Sequence, residues 1–527
     1  MPDENFAIST VTMTAIHSVV PTSVSKRTFL AVSVSASLAA CGSGNNGTVS
    51  TADVGADIAL GDSALEKGFG RFVAGDLIRL LIGCKAGLLR WNQIAIDATG
   101  RDHKPVAPGE NRIFGHQLGP CRASRAMAIA HIAMYDALVS ITGGYQTISA
   151  LASMPTVADL DIAIAQAGRD TLTALFPSQQ PIFDLALAEE ITRRKTQGAT
   201  KSAQVFGIQA GKNAAAASLA ARSTDGSDHT EPTFGVDFIP KEGIGIWSPD
   251  PISNGTKAIG ARWPQVRPFA INSADQFRCP VPPAVGSDAY IQAYDETAAL
   301  GGDGVITPTQ RTAEQTFKGV FWAYDGTPSL CAPPRLYNQV ATQIAIQRGT
   351  NTVETARLLV LINIAMADTG IAAWDSKFFY QTWRPVVGLR AAKNGSASGS
   401  ATPNFTPLGA PASNQAGPNF TPPFPAYPSG HAAFGGALFQ VLRNFYGTDN
   451  LPFVLLSDEY NGRTTDKAGA VRPFRPVAFA KLSDAEEENG QSRMYLGIHW
   501  GFDKTAGIKQ GRDIANLVTS KLAKKLK

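Results

Sequence analysis

The sequence predicts an all-α protein, and three observations carry that prediction. Apolar residues recur at helical spacing in long runs, strand-like alternation is scarce, and segments rich in Pro, Gly and Ser separate the runs. The composition of the 527 residues agrees: 44% hydrophobic and 17% charged describes a globular chain with material for a large core. Lys and Arg number 47 against 43 Asp and Glu, a net charge of +4, too small a surplus to argue for a nucleic-acid partner. Lys521, Lys524, Lys525 and Lys527 read as the charged end of a last helix, where cations complement the dipole.

The chain divides into residues 1–50, 51–283 and 284–527. In the first segment Lys26 and Arg27 precede an apolar and small run, Thr28 to Ala40, too short to span a bilayer as a helix and shaped like a signal peptide. Leu38-Ala39-Ala40-Cys41 resembles a bacterial lipobox, which makes Cys41 a candidate lipid anchor to the membrane and the Gly/Ser/Asn stretch after it a tether. Ser25 to Leu30 resembles a variant twin-arginine signal with lysine in the first basic place, and the long lead before it suits a start at Met13 or another downstream position. The expectation is an exported protein of a bacterial cell envelope, as a lipoprotein or in periplasmic or secreted form. The competing reading is an unstructured tail on a cytoplasmic protein. Cys84, Cys121, Cys279 and Cys331 match no metal-binding spacing; they are either one or two disulfides or packed thiols.

Residues 51–283 predict helices at 124–138, 158–176 and 182–221. The first is apolar nearly all round and so belongs inside, with His131 as a core histidine rather than a ligand. The stretch 223–283, with many Pro, Gly and Trp residues, reads as a connection packed across the helices. Residues 284–527 predict helices at 288–300, 308–322, 334–348, 353–390, 429–446, 483–497 and 504–526. Between them, 394–427 is the least periodic part of the chain; because it delivers Phe424 and Ser429 to the candidate site, we expect it to form an active-site wall.

The candidate site begins at Pro423-Phe424-Pro425-Ala426-Tyr427-Pro428-Ser429-Gly430-His431. Prolines hold the approach extended, Ser429 is a good N-cap, and an apolar run follows. A helix starting there sets free N–H groups and the positive end of its dipole beside a hydroxyl and an imidazole, a combination suited to an oxyanion. Lys377 and Arg384, seven apart, fall two turns apart on one face if the helix continues through both. Arg493 and His499 add another cation and another imidazole. Singly these are ordinary surface or capping residues; together they specify three cations, a capping Ser-Gly and two histidines.

With these residues in hand, the chain resembles a known superfamily. Lys377-x6-Arg384-Pro385, Pro428-Ser429-Gly430-His431 and Ser492-Arg493-x5-His499 are similar to the three-part signature shared by vanadium-dependent haloperoxidases and type 2 phosphatidic acid phosphatases, which include bacterial acid phosphatases. The resemblance spans roughly Asp288 to the C-terminus. It extends to Ala130–Ala137, similar to a helix of bacterial vanadium haloperoxidase relatives, and implies two helical-bundle halves with the vanadate site in the C-terminal one.

What the resemblance implies residue by residue is a vanadate (V5+) cofactor bonded through its metal to His499. Lys377, Arg384 and Arg493 neutralise its oxygens, Ser429 gives a hydroxyl bond and Gly430 a backbone N–H. His431, Lys377 and Asp325 are the catalytic candidates: His431 as acid–base group, Asp325 in Trp322-Ala323-Tyr324-Asp325-Gly326 as the partner of Arg493. Asp503, four beyond His499, is placed to accept a bond from that imidazole. Trp374 and Phe424 resemble the aromatic pair of a chloroperoxidase-like halide pocket. The implied partners are hydrogen peroxide, halide and a small organic acceptor, with phosphate as competitor. Two rival functions use the same residues: a phosphatase with His499 as nucleophile and His431 as the acid, and an envelope lipoprotein that holds an oxyanion without turnover.

Overall fold

The computed structural model describes residues 87–391 and 402–526. The signal-peptide and lipobox reading, with Cys41, and also Cys84 lie outside the described residues. The all-α expectation holds: among the described residues there are thirteen α-helices and one two-stranded antiparallel hairpin, β1 (Phe453–Leu455) with β2 (Val477–Phe479). In chain order the first five helices are α1 (Gly87–Asp102), α2 (Gly119–Thr142), α3 (Leu160–Leu175), α4 (Gln180–Thr196) and α5 (Lys201–Arg222). The others are α6 (Asp288–Leu300), α7 (Ala313–Phe321), α8 (Pro333–Gln347), α9 (Thr352–Tyr380), α10 (Pro385–Gly388), α11 (Gly430–Tyr446), α12 (Leu482–Tyr495) and α13 (Gly501–Lys521).

Local chemistry explains where several of these begin and end. The run expected as one helix over 182–221 is two, because Gly198 takes φ +92° after α4 and Thr200 caps α5 by accepting from the Ala203 N–H. α7 starts after Pro308 rather than at it, since Thr312 and Gln315 form a reciprocal capping box. α13 begins at Gly501, three residues before the expected start, and Asp503 in its first turn accepts the Trp500 N–H at 3.0 Å.

α9 is the central rod. It is 29 residues long and apolar enough in composition to cross a bilayer, yet 94% of its most apolar 18-residue window is buried inside the protein. α2, buried along most of its length as its sequence demands, packs on α9, and helices from both 51–283 and 284–527 join one hydrophobic cluster. His131 lies within hydrogen-bond distance of the Met127 carbonyl and Asn92, and burial pushes its pKa down to about 4, as suits a core histidine. Cys121, Cys279 and Cys331 are buried free thiols, so no disulfide joins any two of these three.

One expectation about α9 fails. The helix does not run on to residue 390, and Lys377 and Arg384 do not share a helical face: α9 stops at Tyr380, Gln381 takes the left-handed conformation (φ 54°), and Arg384 is extended (φ −81°, ψ 155°). The left-handed Gln381, its N–H on the Lys377 carbonyl, closes the helix, and Pro385, whose ring disfavours the helical conformation at the residue before it, keeps Arg384 out of one. The chain turns, and Arg384 reaches the site from a different direction.

α11 and α13 cross with almost nothing between them. A Cβ at Gly507 would stand 2.7 Å from the Ser429 carbonyl, one at Gly511 would overlap the Ala433 carbonyl and lie 2.6 Å from the Ala437 nitrogen, and one at Gly436 would overlap the Ile508 carbonyl. Gly511→Ala must force the two helices apart. It is expected to lower stability by about 1–3 kcal/mol, the usual range for overpacking, and to weaken anion binding as well. Thermal unfolding and calorimetric titration check this; unchanged binding in a folded variant would show that the crossing does not set the site.

Candidate active site

The site is assembled where this crossing brings the start of α11 beside the start of α13. Ser429 is the N-cap of α11; its hydroxyl accepts from the Ala432 N–H at 3.4 Å and its own N–H donates to the Asp503 carbonyl at 3.0 Å. Gly430 opens the helix with its Cα towards the Trp374 indole. His431, 6% exposed, donates from Nε2 to the Ala323 carbonyl and lies 4.0 Å from Asp325. Its own carbonyl is held by the Tyr337 hydroxyl at 2.8 Å and the Asn489 amide at 3.0 Å.

His499 sits just before α13, and its Nδ1–H donates to Asp503 at 2.7 Å. That bond fixes the tautomer: the proton is on Nδ1, so Nε2 carries the lone pair and faces Arg384 Nη1 at 2.8 Å. The Arg384 guanidinium also donates to the carbonyls of Phe424 and Ile498, both at 2.9 Å. Arg493 donates through Nη2 to Asp325 at 2.6 Å. Arg384 Nη2 and Arg493 Nε and Nη1 are buried with no partner among the described residues. Buried charged donors of this kind are costly unless something accepts from them.

Lys377 behaves differently. Its ammonium is buried and donates to the carbonyls of Pro425 at 2.8 Å, Ala426 at 2.9 Å and Pro428. All three donors therefore brace the extended approach to α11, while the charge remains at the site. Trp374 and Phe424 come together as a wall, ring centroids 4.9 Å apart, with the Lys377 Nζ 5.5 and 5.2 Å from the two rings and the Arg384 guanidinium 5.0 Å from Phe424. The stretch before Phe424 pairs Ala410 with Phe420 in an antiparallel bridge and packs Ala410 against Leu496 and Ile498, directly before His499.

The electrostatics follow from burial and crowding of like charge. Burial, then Arg493, Arg384 and Lys377, hold the His431 pKa well below its ordinary value, and burial followed by the same three cations does so for His499. Burial, then Arg384, depresses Lys377, and burial brings Arg384 down to about 9. Burial lifts Asp503 to about 7 and also raises Asp325 against the opposing pull of Arg493.

These residues fit a tetrahedral oxyanion such as vanadate. Three partnerless guanidinium nitrogens and a ring nitrogen with its lone pair converge, whereas a cation would face Arg384, Arg493 and Lys377 against only Asp325 and Asp503, which are already bonded to Arg493 and His499. A bound dianion favours the protonated form of His431, so its pKa rises and a proton is taken up wherever the pH lies between its free and bound values. Affinity for a dianion of fixed charge, such as sulfate, is therefore expected to tighten as pH falls between the free and bound pKa values. Calorimetry in two buffers of different ionisation heat measures the uptake; identical heats would contradict it.

The sequence pointed to Asp503 through its spacing from His499, but it gave no sign of the Ala323 carbonyl on His431, the Phe424 carbonyl on Arg384, or the Tyr337 and Asn489 bonds to the His431 backbone. A backbone acceptor leaves no mark in residue type, and only the fold brings it to the site.

A family model described as the VCPO second helical-bundle domain matches residues 357–527. Vanadium chloroperoxidase of Curvularia inaequalis is 29% identical over 511 residues, covering 82% of this chain and 81% of that protein. Among solved structures, one described as the first bacterial vanadium-dependent iodoperoxidase superposes with a TM-score of 0.64 at 23% identity, over 82% of this chain and 96% of the other. A holo-type bacterial vanadium-dependent chloroperoxidase does so with a TM-score of 0.58 at 16% identity, over 83% and 98%. At those identities the two structures speak for the fold.

Proposed function

We propose, from the premise that this chain is a vanadium haloperoxidase-like protein, that it is an enzyme oxidising halide with hydrogen peroxide to a hypohalous-acid equivalent. The observation that carries the reading is the set of buried, partnerless N–H groups of Arg384 and Arg493 around the His499 lone pair. The residues to hold vanadate are His499 at the metal, Arg384, Arg493 and Lys377 as counter-charge, Ser429 as hydroxyl donor and Gly430 as main-chain donor. When bound, vanadate supplies a Lewis acid that makes an oxygen of hydrogen peroxide electrophilic towards halide.

The remaining work belongs to the chain. Asp503 keeps the proton on His499 Nδ1 and so keeps Nε2 basic. Asp325 fixes the plane of Arg493. His431, neutral wherever the pH lies above its pKa in the loaded site, takes the proton released when hydrogen peroxide arrives; its Nε2–H is already committed to Ala323, which leaves Nδ1 as the accepting atom. Trp374 and Phe424 exclude water from the halide. A small organic molecule then accepts the halogen. Phosphate competes for the cage, and the N-terminal segment directs the protein to a bacterial cell envelope through Cys41 or by export.

A phosphatase reading draws on the same His499 geometry, since a basic Nε2 is also a nucleophile. Purified protein with orthovanadate, peroxide and bromide is expected to brominate monochlorodimedone, with free phosphate inhibiting. Hydrolysis of p-nitrophenyl phosphate blocked by vanadate, with no halogenation, would replace the proposal by the phosphatase; anion binding with neither activity would leave an oxyanion carrier.

A further inference from the structure

We infer that Gly260, far from the signature residues in sequence, is a positioning residue of the halide pocket: it sets where the Trp374 indole stands, and through it which halides the pocket accepts. The inference rests on the haloperoxidase reading for its ligand, a halide ion, and on geometry alone for the positioning.

Trp374 is held in a slot between two glycines. On its pyrrole side Gly260 has φ +81°, and a Cβ there would overlap the indole Cδ1 and Nε1 and lie 3.2 Å from Cγ. On its benzo side a Cβ at Gly430 would stand 3.3 Å from Cη2 and 3.4 Å from Cζ3. The indole N–H donates to the carbonyl of Ile259, the residue before Gly260, at 3.0 Å. The rings of Phe424 and Phe434 close two further directions at centroid distances of 4.9 and 6.3 Å.

Gly260 is itself tied down. Its N–H donates to Glu231 at 2.6 Å, and the Ile259 N–H donates to the Pro423 carbonyl at 3.1 Å, next to Phe424. The segment 259–260 thus bridges both aromatic residues of the wall. The 223–283 connection, which read as mere packing across the helices, supplies the backstop of the pocket.

A side chain at 260 meets the indole before any other group. The pyrrole edge must give, and the rigid ring carries the motion to its benzo edge, against Gly430 and towards Phe424. The pocket narrows and the larger halides lose most. The main chain at Gly430, proposed to meet the anion, is pressed at the same time.

The test is a double-mutant cycle of Gly260→Ala and Trp374→Ala, read in two ways. KM and kcat are measured for chloride, bromide and iodide, and vanadate affinity is measured by calorimetry without peroxide or halide. Gly260→Ala alone is expected to raise the halide KM about tenfold or more, most for iodide, with a smaller change in kcat, and to weaken vanadate binding severalfold. In the Trp374→Ala background, which lacks the Cδ1, Nε1 and Cγ atoms that the new Cβ would meet, the same change should move both readouts by about twofold at most.

Equal effects with and without Trp374 would mean that the alanine acts through backbone strain at φ +81°, which overturns the inference; so would no effect at all. If the single variant does not fold, Glu231→Gln, which loosens the Gly260 N–H without adding a Cβ, must show the same dependence on Trp374. Should the protein prove to oxidise no halide, the calorimetric arm still decides the positioning claim, so its failure and that of the haloperoxidase reading are told apart.

Discussion

His431→Ala is expected to keep vanadate affinity within about tenfold of the unmodified protein while lowering halide turnover by about 10²–10⁴, the usual range for loss of an acid–base group. His499→Ala is expected to lose vanadate binding outright. The contrast follows from how the two rings are held. His499 presents Nε2 because Asp503 takes the Nδ1 proton, so the ring is aimed as a ligand. His431 is anchored through Nε2 to the Ala323 carbonyl and lies 4.0 Å from Asp325, whereas Arg384 bonds to His499. Calorimetry with vanadate and bromide turnover on each variant, with imidazole added to test rescue of His431→Ala, checks both. Comparable turnover in the two variants, or loss of binding in His431→Ala, would reverse the roles.

Arg384→Met is expected to weaken vanadate binding by about 10²–10³, roughly 3–4 kcal/mol, whereas Lys377→Met should weaken it only about tenfold. Sequence alone ranks the two cations together. The structure separates them: Arg384 has a buried Nη2 with no partner and touches His499, while all three Lys377 donors are bonded to the carbonyls of Pro425, Ala426 and Pro428. Removing Lys377 strands those carbonyls, so its larger effect should be on unfolding, by about 3 kcal/mol. Binding isotherms and melting curves measured on both variants test the ranking, and equal losses of affinity would show that the lysine charge matters as much as the arginine contacts.

How far the fold could be read from the sequence depended on how locally each feature is encoded. α6 begins and ends where its apolar spacing and its Ser287 cap place it, and α11 starts after Ser429 for the same kind of reason. The burial of α2 was legible because it has no polar face to turn outward. The end of α9 was not, although the sign was there: Pro385 bars Arg384 from the helix, but a seven-residue interval between two cations suggested a shared face more strongly than the proline suggested a break.

In the site, side chains with a motif behind them were legible, and the partnership of Asp325 with Arg493 lies at 2.6 Å where the resemblance put it. Backbone acceptors and absent Cβ atoms were not. The Ala323 carbonyl, the Ile259 carbonyl and Gly260 act through the path of the main chain, which depends on contacts more than a hundred residues away in sequence.

Ala323 and Asp325 belong to one turn, separated only by Tyr324 at φ 47°, whose hydroxyl is fixed between Gln339 and the Asp458 N–H. The base that exchanges the proton and the clamp that grips the charge are therefore wired in series through three residues. No substitution that shifts this turn can retune the acidity of one without loosening the other, so variants selected for a different working pH should carry their changes elsewhere in the chain.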